Sequence, residues 1–293
     1  MTYRKLILAG TILVIPAVVA LTVFSYVRRP RLTPALRGAQ LAERFGCFAC
    51  HGPSGTGGVP NPGSDEREVP AWDGGTSMMY VKNEGEIREW ILYGHPERLE
   101  GEHEHDAERQ QLAPDDPGGA HTHDGGDGHT QDEHASSQEA GAVTSASSPP
   151  LEMPAFEGVL STHQVNDLVA YYKAVALFEE PPPQAREGRR IAARLGCFGC
   201  HGPGGRVGSN NPRSFKGYIP PWQGKDYAEL VKSDEELRQW ILEGRIDRFE
   251  DNPLAGYFTK RQIIQMPAYR NLLNDEELEA VLAYIRWIQE TGL

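Results

Sequence analysis

The longest apolar segment of the chain lies near its amino terminus. Leu6 to Val27 contains no charged residue and runs for 22 residues. As a helix rising 1.5 Å per residue it would span about 33 Å, which matches a hydrocarbon core of about 30 Å. Pro16 is compatible with such a helix. The pattern predicts a transmembrane anchor over residues 1–32, with a signal peptide cleaved after Ala20 as the alternative.

Elsewhere the apolar residues recur mainly at helical spacing. No segment shows a sustained alternation of apolar and polar residues, so the predicted fold class is all-α. Glycines and capping pairs mark where helices end or begin. The predicted helices are Pro34–Phe45, Ala185–Leu195, two short amphipathic segments around Trp90 and Trp240, and two closing helices that begin at the capping pairs Ser161/Gln164 and Asn274/Glu277.

The helical pattern occurs twice. Placing Cys47 over Cys197 aligns the chain with itself at a constant offset of 150 residues. The offset falls to 113 where Met153 aligns with Met266, so the first copy carries 37 additional residues. The chain is therefore predicted to contain two tandem copies of one domain. Other aligned pairs are Gly38/Gly188, Pro62/Pro212, Pro70/Pro220, Trp72/Trp222 and Trp90/Trp240.

The formal net charge of −12 belongs to one segment. Residues 97–152 hold fourteen acidic residues and two arginines, and the remaining 27 acidic and 27 basic residues balance. This segment is poor in apolar residues, so 97–150 is predicted to be a disordered insertion. No basic patch studded with aromatic residues suggests nucleic-acid binding. The predicted organisation is an anchor at 1–32, a first domain at 33–178, a Pro-rich linker at 179–184 and a second domain at 185–293.

The four cysteines of the chain form two identical motifs. Cys47, Cys50 and His51 form one C-x-x-C-H motif, and Cys197, Cys200 and His201 form the other. This is the attachment pattern of c-type haem, in which two thiols bind the vinyl groups and the histidine binds the iron. A disulfide or a four-cysteine zinc site would not require a histidine after each pair, and a thioredoxin-like pair would lie near a β-α-β pattern. Two covalently bound haems are predicted.

Methionine is the predicted sixth ligand of each iron. Met153 and Met266 recur in both copies, and each precedes Pro-Ala-aromatic and a closing helix. A lone methionine is usually an ordinary core residue, but the matched positions favour ligation. Met78 and Met79 are rivals for the first haem, although the second copy has no methionine at these positions.

Each copy resembles a class I cytochrome c domain, on the residues quoted above. The resemblance implies that Gly38 and Gly188 lie where the first helix crosses the last, with Tyr171 and Tyr284 packed nearby. The whole chain resembles the membrane-anchored two-haem cytochrome c subunits of respiratory or photosynthetic complexes. The insertion before Met153 departs from the class I pattern.

Electron transfer is the function that these features favour. The chain is predicted to be a carrier rather than an enzyme, on the extracytoplasmic side of the inner membrane, anchored by a single pass. Its expected partners are a quinol-oxidising complex, a dehydrogenase, an oxidase, a reaction centre or a soluble cytochrome. A two-haem peroxidase is the alternative, but that chemistry needs an iron that can open a coordination site.

Two further features leave alternatives open. Seven of the ten histidines lie between His95 and His134, and pairs such as His103/His105 and His121/His123 could bind Cu²⁺ or Zn²⁺ or simply form a solvated tether. Trp72 and Trp222 could line the haem edge or serve only in core packing.

Overall fold

The computed structural model describes residues 2–73, 77–99, 149–177 and 179–292, with side chains from residue 14 onward except that of residue 78. These residues are mostly helical, as predicted. The helices of the first half are α1 (Thr2–Arg28), α2 (Pro34–Arg44), α3 (Phe48–His51), α4 (Ser77–Tyr80), α5 (Glu84–Tyr93) and α6 (Thr162–Ala176). Those of the second half are α7 (Pro183–Arg194), α8 (Phe198–His201), α9 (Gly224–Leu230), α10 (Asp234–Glu243), α11 (Asp247–Glu250), α12 (Pro253–Arg261) and α13 (Asp275–Thr291).

Short strands and 3-10 turns complete the described structure. The strands are β1 (Val59–Pro60), β2 (Glu68–Val69), β3 (Ser209–Asn210) and β4 (Tyr218–Ile219), and the 3-10 turns are Pro53–Gly55 and Pro203–Gly205. Strands β3 and β4 pair antiparallel, with Ser209 opposite Ile219. Each strand is only two residues long, so the all-α prediction holds apart from these short pairings.

The apolar amino-terminal segment forms the single helix α1. Its last turns pack on a later part of the chain, where the Phe24 ring lies 6.3 Å from that of Phe215 and Arg28 Nε donates to the Phe215 carbonyl at 2.8 Å. Among the residues that the structure describes, no helix is both long enough and apolar enough to cross a membrane.

Two helix crossings form the framework of the fold. Helix α2 packs against α6, and α7 packs against α13. At the first crossing, a Cβ at Gly38 would overlap the Asp167 carbonyl and the Tyr171 side chain. At the second, a Cβ at Gly188 would overlap the Ala280 carbonyl. The glycines allow the backbones to approach closely, as the resemblance to class I cytochrome c implies.

The predicted capping pairs begin the two closing helices. Ser161 N donates to Gln164 Oε1 at 2.9 Å, and Gln164 N donates back to Ser161 Oγ. Asn274 and Glu277 form the same reciprocal pair at the start of α13. Each capping box satisfies amide groups that lack an intrahelical partner, which explains why the helices begin there.

The structure differs from the sequence prediction at the linker. Helix α7 begins at Pro183, inside the segment 179–184 that was expected to be a spacer. Proline suits the first turn of a helix because the amide that it lacks would have no intrahelical partner. Pro181 is buried. The part of 179–184 that can serve as a linker is therefore shorter than the run of three prolines suggested.

Two compact units are present, and their boundaries differ from those of the two predicted domains. One unit comprises residues 1–59, 70–80 and 160–293, and the other comprises 60–69 and 81–159. The first unit joins elements of both sequence repeats because the end of α6 contacts the turn Pro203–Gly205 and the end of α1 contacts Phe215. The predicted disordered insertion lies almost entirely outside the described residues, as do the histidine pairs His103/His105 and His121/His123 considered for metal binding.

Candidate haem-binding sites

Each C-x-x-C-H motif forms a tight helical turn immediately after a helix end. In the second motif, Gly196 has a φ of 74°, and Cys197 N donates to the Ala192 carbonyl at 3.0 Å, which ends α7. His201 N then donates to the Cys197 carbonyl at 3.0 Å. A positive φ favours glycine, so the residue before the first cysteine shapes the turn.

The first motif has the same backbone arrangement. Gly46 has a φ of 77°, Cys47 N donates to the Ala42 carbonyl at 2.9 Å, and His51 N donates to the Cys47 carbonyl at 3.0 Å. All four cysteines of the chain are free thiols. Both motifs therefore present two unpaired thiols and a histidine on one turn.

A cavity of about 400 Å³ lies beside the second motif. Cys197, Cys200, His201 and Met266 all line it, although Met266 is 65 residues from His201 in sequence. This volume is within the usual range for cofactor and ligand sites. The rest of the lining is largely apolar and aromatic and includes Trp222, Tyr227, Trp240, Ile241 and Phe249.

His201 is held as a neutral ligand group. Its Nδ1 lies 3.1 Å from the Pro220 carbonyl, and because a carbonyl only accepts, Nδ1 carries the proton. The Nε2 lone pair therefore remains available for a metal. Burial lowers the pKa of His201 to about 4, so the imidazole is neutral at pH 7.

His51 has the same environment in the first motif. Its Nδ1 lies 3.0 Å from the Pro70 carbonyl, and burial lowers its pKa. The Trp72 ring centroid lies 4.9 Å from that of His51, and the Trp222 centroid lies 5.1 Å from that of His201. Each tryptophan ring therefore lies against a motif histidine, and Trp222 also lines the cavity.

An asparagine that sequence reasoning missed positions the Met266 segment. Asn211 is 1% exposed, its Nδ2 donates to the Ile264 carbonyl at 2.8 Å, and its Oδ1 accepts from Ile264 N at 2.9 Å. A Cβ at Gly244 would overlap the Met266 carbonyl. The loop that carries Met266 is therefore fixed by one buried side chain and by one close backbone approach.

The segment before Met153 is fixed in the same way. Asn61 Nδ2 donates to the Leu151 carbonyl at 3.1 Å, and Leu151 N donates to Asn61 Oδ1 at 2.8 Å. A Cβ at Gly94 would overlap the Met153 carbonyl. Each asparagine thus forms a clamp, in which its side chain binds both backbone groups of one distant residue. Asn61-Pro62 and Asn211-Pro212 align at the offset of 150 residues. The repeated asparagine was therefore a sequence signal for this clamp, which the match of the prolines alone did not reveal.

Met153 and the first motif belong to different compact units. Cys47, Cys50 and His51 lie in the larger unit, whereas Met153 lies in the smaller one. The ligation of the first iron by Met153 therefore stays a prediction. Its described rival, Met79, is 65% exposed.

Charged residues form one edge of the cavity beside the second motif. Asp226 is 4% exposed and accepts hydrogen bonds from Tyr218, from Lys216 and from the Arg31 backbone. Burial alone would raise the pKa of Asp226, but these donors outweigh it, so the pKa lies below its ordinary value. The Asp226 carboxylate, which lines the cavity, is thus hydrogen-bonded to the segment that follows α1.

The part of the chain around this cavity matches a known protein family. Residues 183–285 match the family model for cytochrome c oxidase, cbb3-type, subunit III. The match begins at the first residue of α7 and includes Cys197, Cys200, His201 and Met266, and it supports a cytochrome c family. No curated protein and no solved structure shows significant similarity to the chain.

A cytochrome c domain implies covalently bound c-type haem with iron. The residues around the second cavity fit that group: two free thiols, a buried neutral imidazole with its Nε2 lone pair available, and a methionine line one largely apolar cavity. Histidine and methionine side chains are both known ligands of haem iron. Trp240 is half-buried, lines this cavity and donates from Nε1 to the Leu230 carbonyl.

Proposed function

We propose that the chain carries two covalently bound c-type haems and relays electrons between membrane redox complexes. The observation that carries the proposal is the cavity that brings Cys197, Cys200, His201 and Met266 together. The first motif repeats the turn and the histidine hydrogen bond of the second, which supports a second haem in the same chain. A c-type haem between histidine and methionine supplies reversible one-electron transfer.

The residues of the second site have distinct roles in this proposal. Cys197 and Cys200 attach the cofactor, and His201 offers Nε2 while the Pro220 carbonyl holds its other nitrogen. Met266 would supply the second protein ligand of the iron, and the aromatic side chains that line the cavity would exclude water. A closed, six-coordinate site favours electron transfer over the binding of small substrates.

The name of the matched family points to a partner. Because that family is a subunit of an oxidase, we infer that this chain associates with a membrane oxidase complex. A quinol-oxidising complex, a dehydrogenase, a reaction centre or a soluble cytochrome would be its other redox partner. In this arrangement the chain is a carrier, and the oxygen chemistry belongs to the partner.

We infer that the haem domains lie outside the cytoplasm. Cells attach c-type haem on the extracytoplasmic side, and the apolar run Leu6–Val27 would hold the domains at the inner membrane. We expect the full chain to remain in the membrane fraction after alkaline carbonate extraction, and external protease to degrade it in spheroplasts. Extraction into the soluble fraction, or protection from protease, would contradict this arrangement.

Haem content and ligand state test the proposed relay. We expect the purified full chain in detergent to contain two haems per polypeptide and to show a methionine–iron charge-transfer band from each in an optical redox titration. Neither reduced haem should bind carbon monoxide. If one haem lacks the band and binds carbon monoxide, that haem has an open coordination site. The chain would then be a two-haem peroxidase and not an electron carrier.

A further inference from the structure

Arg206 is a buried cation close to the second haem-attachment motif. It follows His201 by five residues and is only 3% exposed. Its Nη2 donates to Thr291 Oγ1 at 3.1 Å, and its guanidinium carbon lies 4.8 Å from the centroid of the Trp287 ring. Its Nη1 has no hydrogen-bond partner among the described residues. A buried arginine with an unsatisfied donor is costly, so its presence requires an explanation.

The charge of Arg206 is not neutralised by a close carboxylate. Among the described residues, none forms a salt bridge with it. Glu179 attracts the guanidinium electrostatically, but that residue is exposed to solvent, which screens its charge. Burial lowers the pKa of Arg206, yet an arginine remains protonated at pH 7. A net positive charge therefore remains inside the fold.

A series of aromatic rings connects this cation with His201. The Trp287 ring stacks on Tyr284 at 5.8 Å, and Tyr284 meets Trp222 edge-on at 6.0 Å. Trp222 in turn lies 5.1 Å from His201. Tyr284 and Trp222 are buried, so the field of the cation reaches the histidine with less screening than it would in solvent.

The first repeat has three of these rings but neither the cation nor the ring that contacts it. His51, Trp72 and Tyr171 correspond to the histidine, tryptophan and tyrosine of the second repeat, and the Trp72 and Tyr171 rings lie 5.8 Å apart. Thr56 occupies the position of Arg206, with its hydroxyl donating to the Pro53 carbonyl at 2.8 Å. Ala174 occupies the position of Trp287. At this pair of matched positions the second repeat therefore has a buried positive charge that the first repeat lacks.

We propose that Arg206 raises the reduction potential of the second haem above that of the first, which makes the second haem the accepting end of the relay. This inference rests on the proposed function of the chain. Transfer of one electron oxidises the first iron and reduces the second, with no bond formed or broken and no proton moved. Reduction lowers the positive charge at an iron, so a nearby cation stabilises the reduced form.

Substitutions at the two matched positions test this role. In the full chain, Arg206→Met removes the charge and replaces it with an apolar side chain of similar length, a type of exchange that buried sites often tolerate. We expect it to lower the midpoint potential of the second haem so that the equilibrium between the haems changes at least threefold, or about 30 mV at 59 mV per tenfold. Arg206→Lys should retain most of the midpoint potential of the second haem. Thr56→Met should leave the midpoint potentials of both haems unchanged.

Optical redox titration of each variant, with haem content measured on the same samples, separates the outcomes. Two haems with unchanged potentials in Arg206→Met would overturn the role of Arg206 and leave the relay intact. An equal fall at both haems, or an equal fall in Arg206→Lys, would also overturn it. A chain without haem would overturn the proposed function itself. If the methionine variant does not fold, Arg206→Gln, which keeps a donor for Thr291, gives the same measurement.

Discussion

Gly188→Ala is expected to lower the free energy of unfolding by about 3 kcal/mol, the upper part of the usual range for overpacking. The added methyl group would overlap the Ala280 carbonyl, which is backbone and cannot rotate away. The close crossing of α7 and α13 would have to open, and most of the buried side chains around the second cavity lie on or against these helices. Chemical denaturation followed by circular dichroism measures the effect.

Gly199→Ala is the matched control for this substitution. Gly199 also lies in a helix, but nothing in the described structure lies within 4 Å of a Cβ at this position. The first repeat already has Ala49 there. Alanine is the better helix former by up to about 1 kcal/mol, so this variant should be as stable as the native chain or slightly more so. Equal stability of the two variants would mean that the helices do not cross at Gly188.

Local features of the fold were readable in the sequence because they depend on neighbouring residues. The capping boxes at Ser161 and Asn274 involve residues three apart, and each helix turn repeats after 3.6 residues. The C-x-x-C-H spacing similarly defines a single helical turn. The close approaches at Gly38 and Gly188 were expected only because of the resemblance to class I cytochrome c, since their partners lie far along the chain.

Contacts between distant residues were not predictable from these patterns. Asn211 binds Ile264 across 53 residues, and Arg28 binds the Phe215 carbonyl across 187. No periodicity encodes such pairs, and their energy depends on burial that exists only after folding. The same reason explains why the compact units do not follow the repeat boundaries, and why no sequence pattern singled out Arg206.

Met266→Ala is expected to convert the second haem from a closed to an open site. The methionine lines the same cavity as His201, and alanine has no atom that can bind iron. The variant should lose one methionine–iron band, bind about one carbon monoxide per chain when reduced, and have a lower potential at that haem, because methionine ligation raises it. Optical spectra of the reduced full chain, with and without carbon monoxide, measure the change.

Two other methionines provide the comparison for this result. Met79→Ala should leave both haems closed, because Met79 is 65% exposed. Met153→Ala should open the first haem and leave the second unchanged if the clamp at Asn61 serves the same purpose as the clamp at Asn211. If Met266→Ala keeps its band and excludes carbon monoxide, another residue binds the second iron, and the matched Asn–Met arrangement has only a structural role. If Met153→Ala alone keeps its methionine–iron band and excludes carbon monoxide, the two repeats share a fold but not a set of iron ligands. The first haem then becomes the site to examine for chemistry beyond electron transfer.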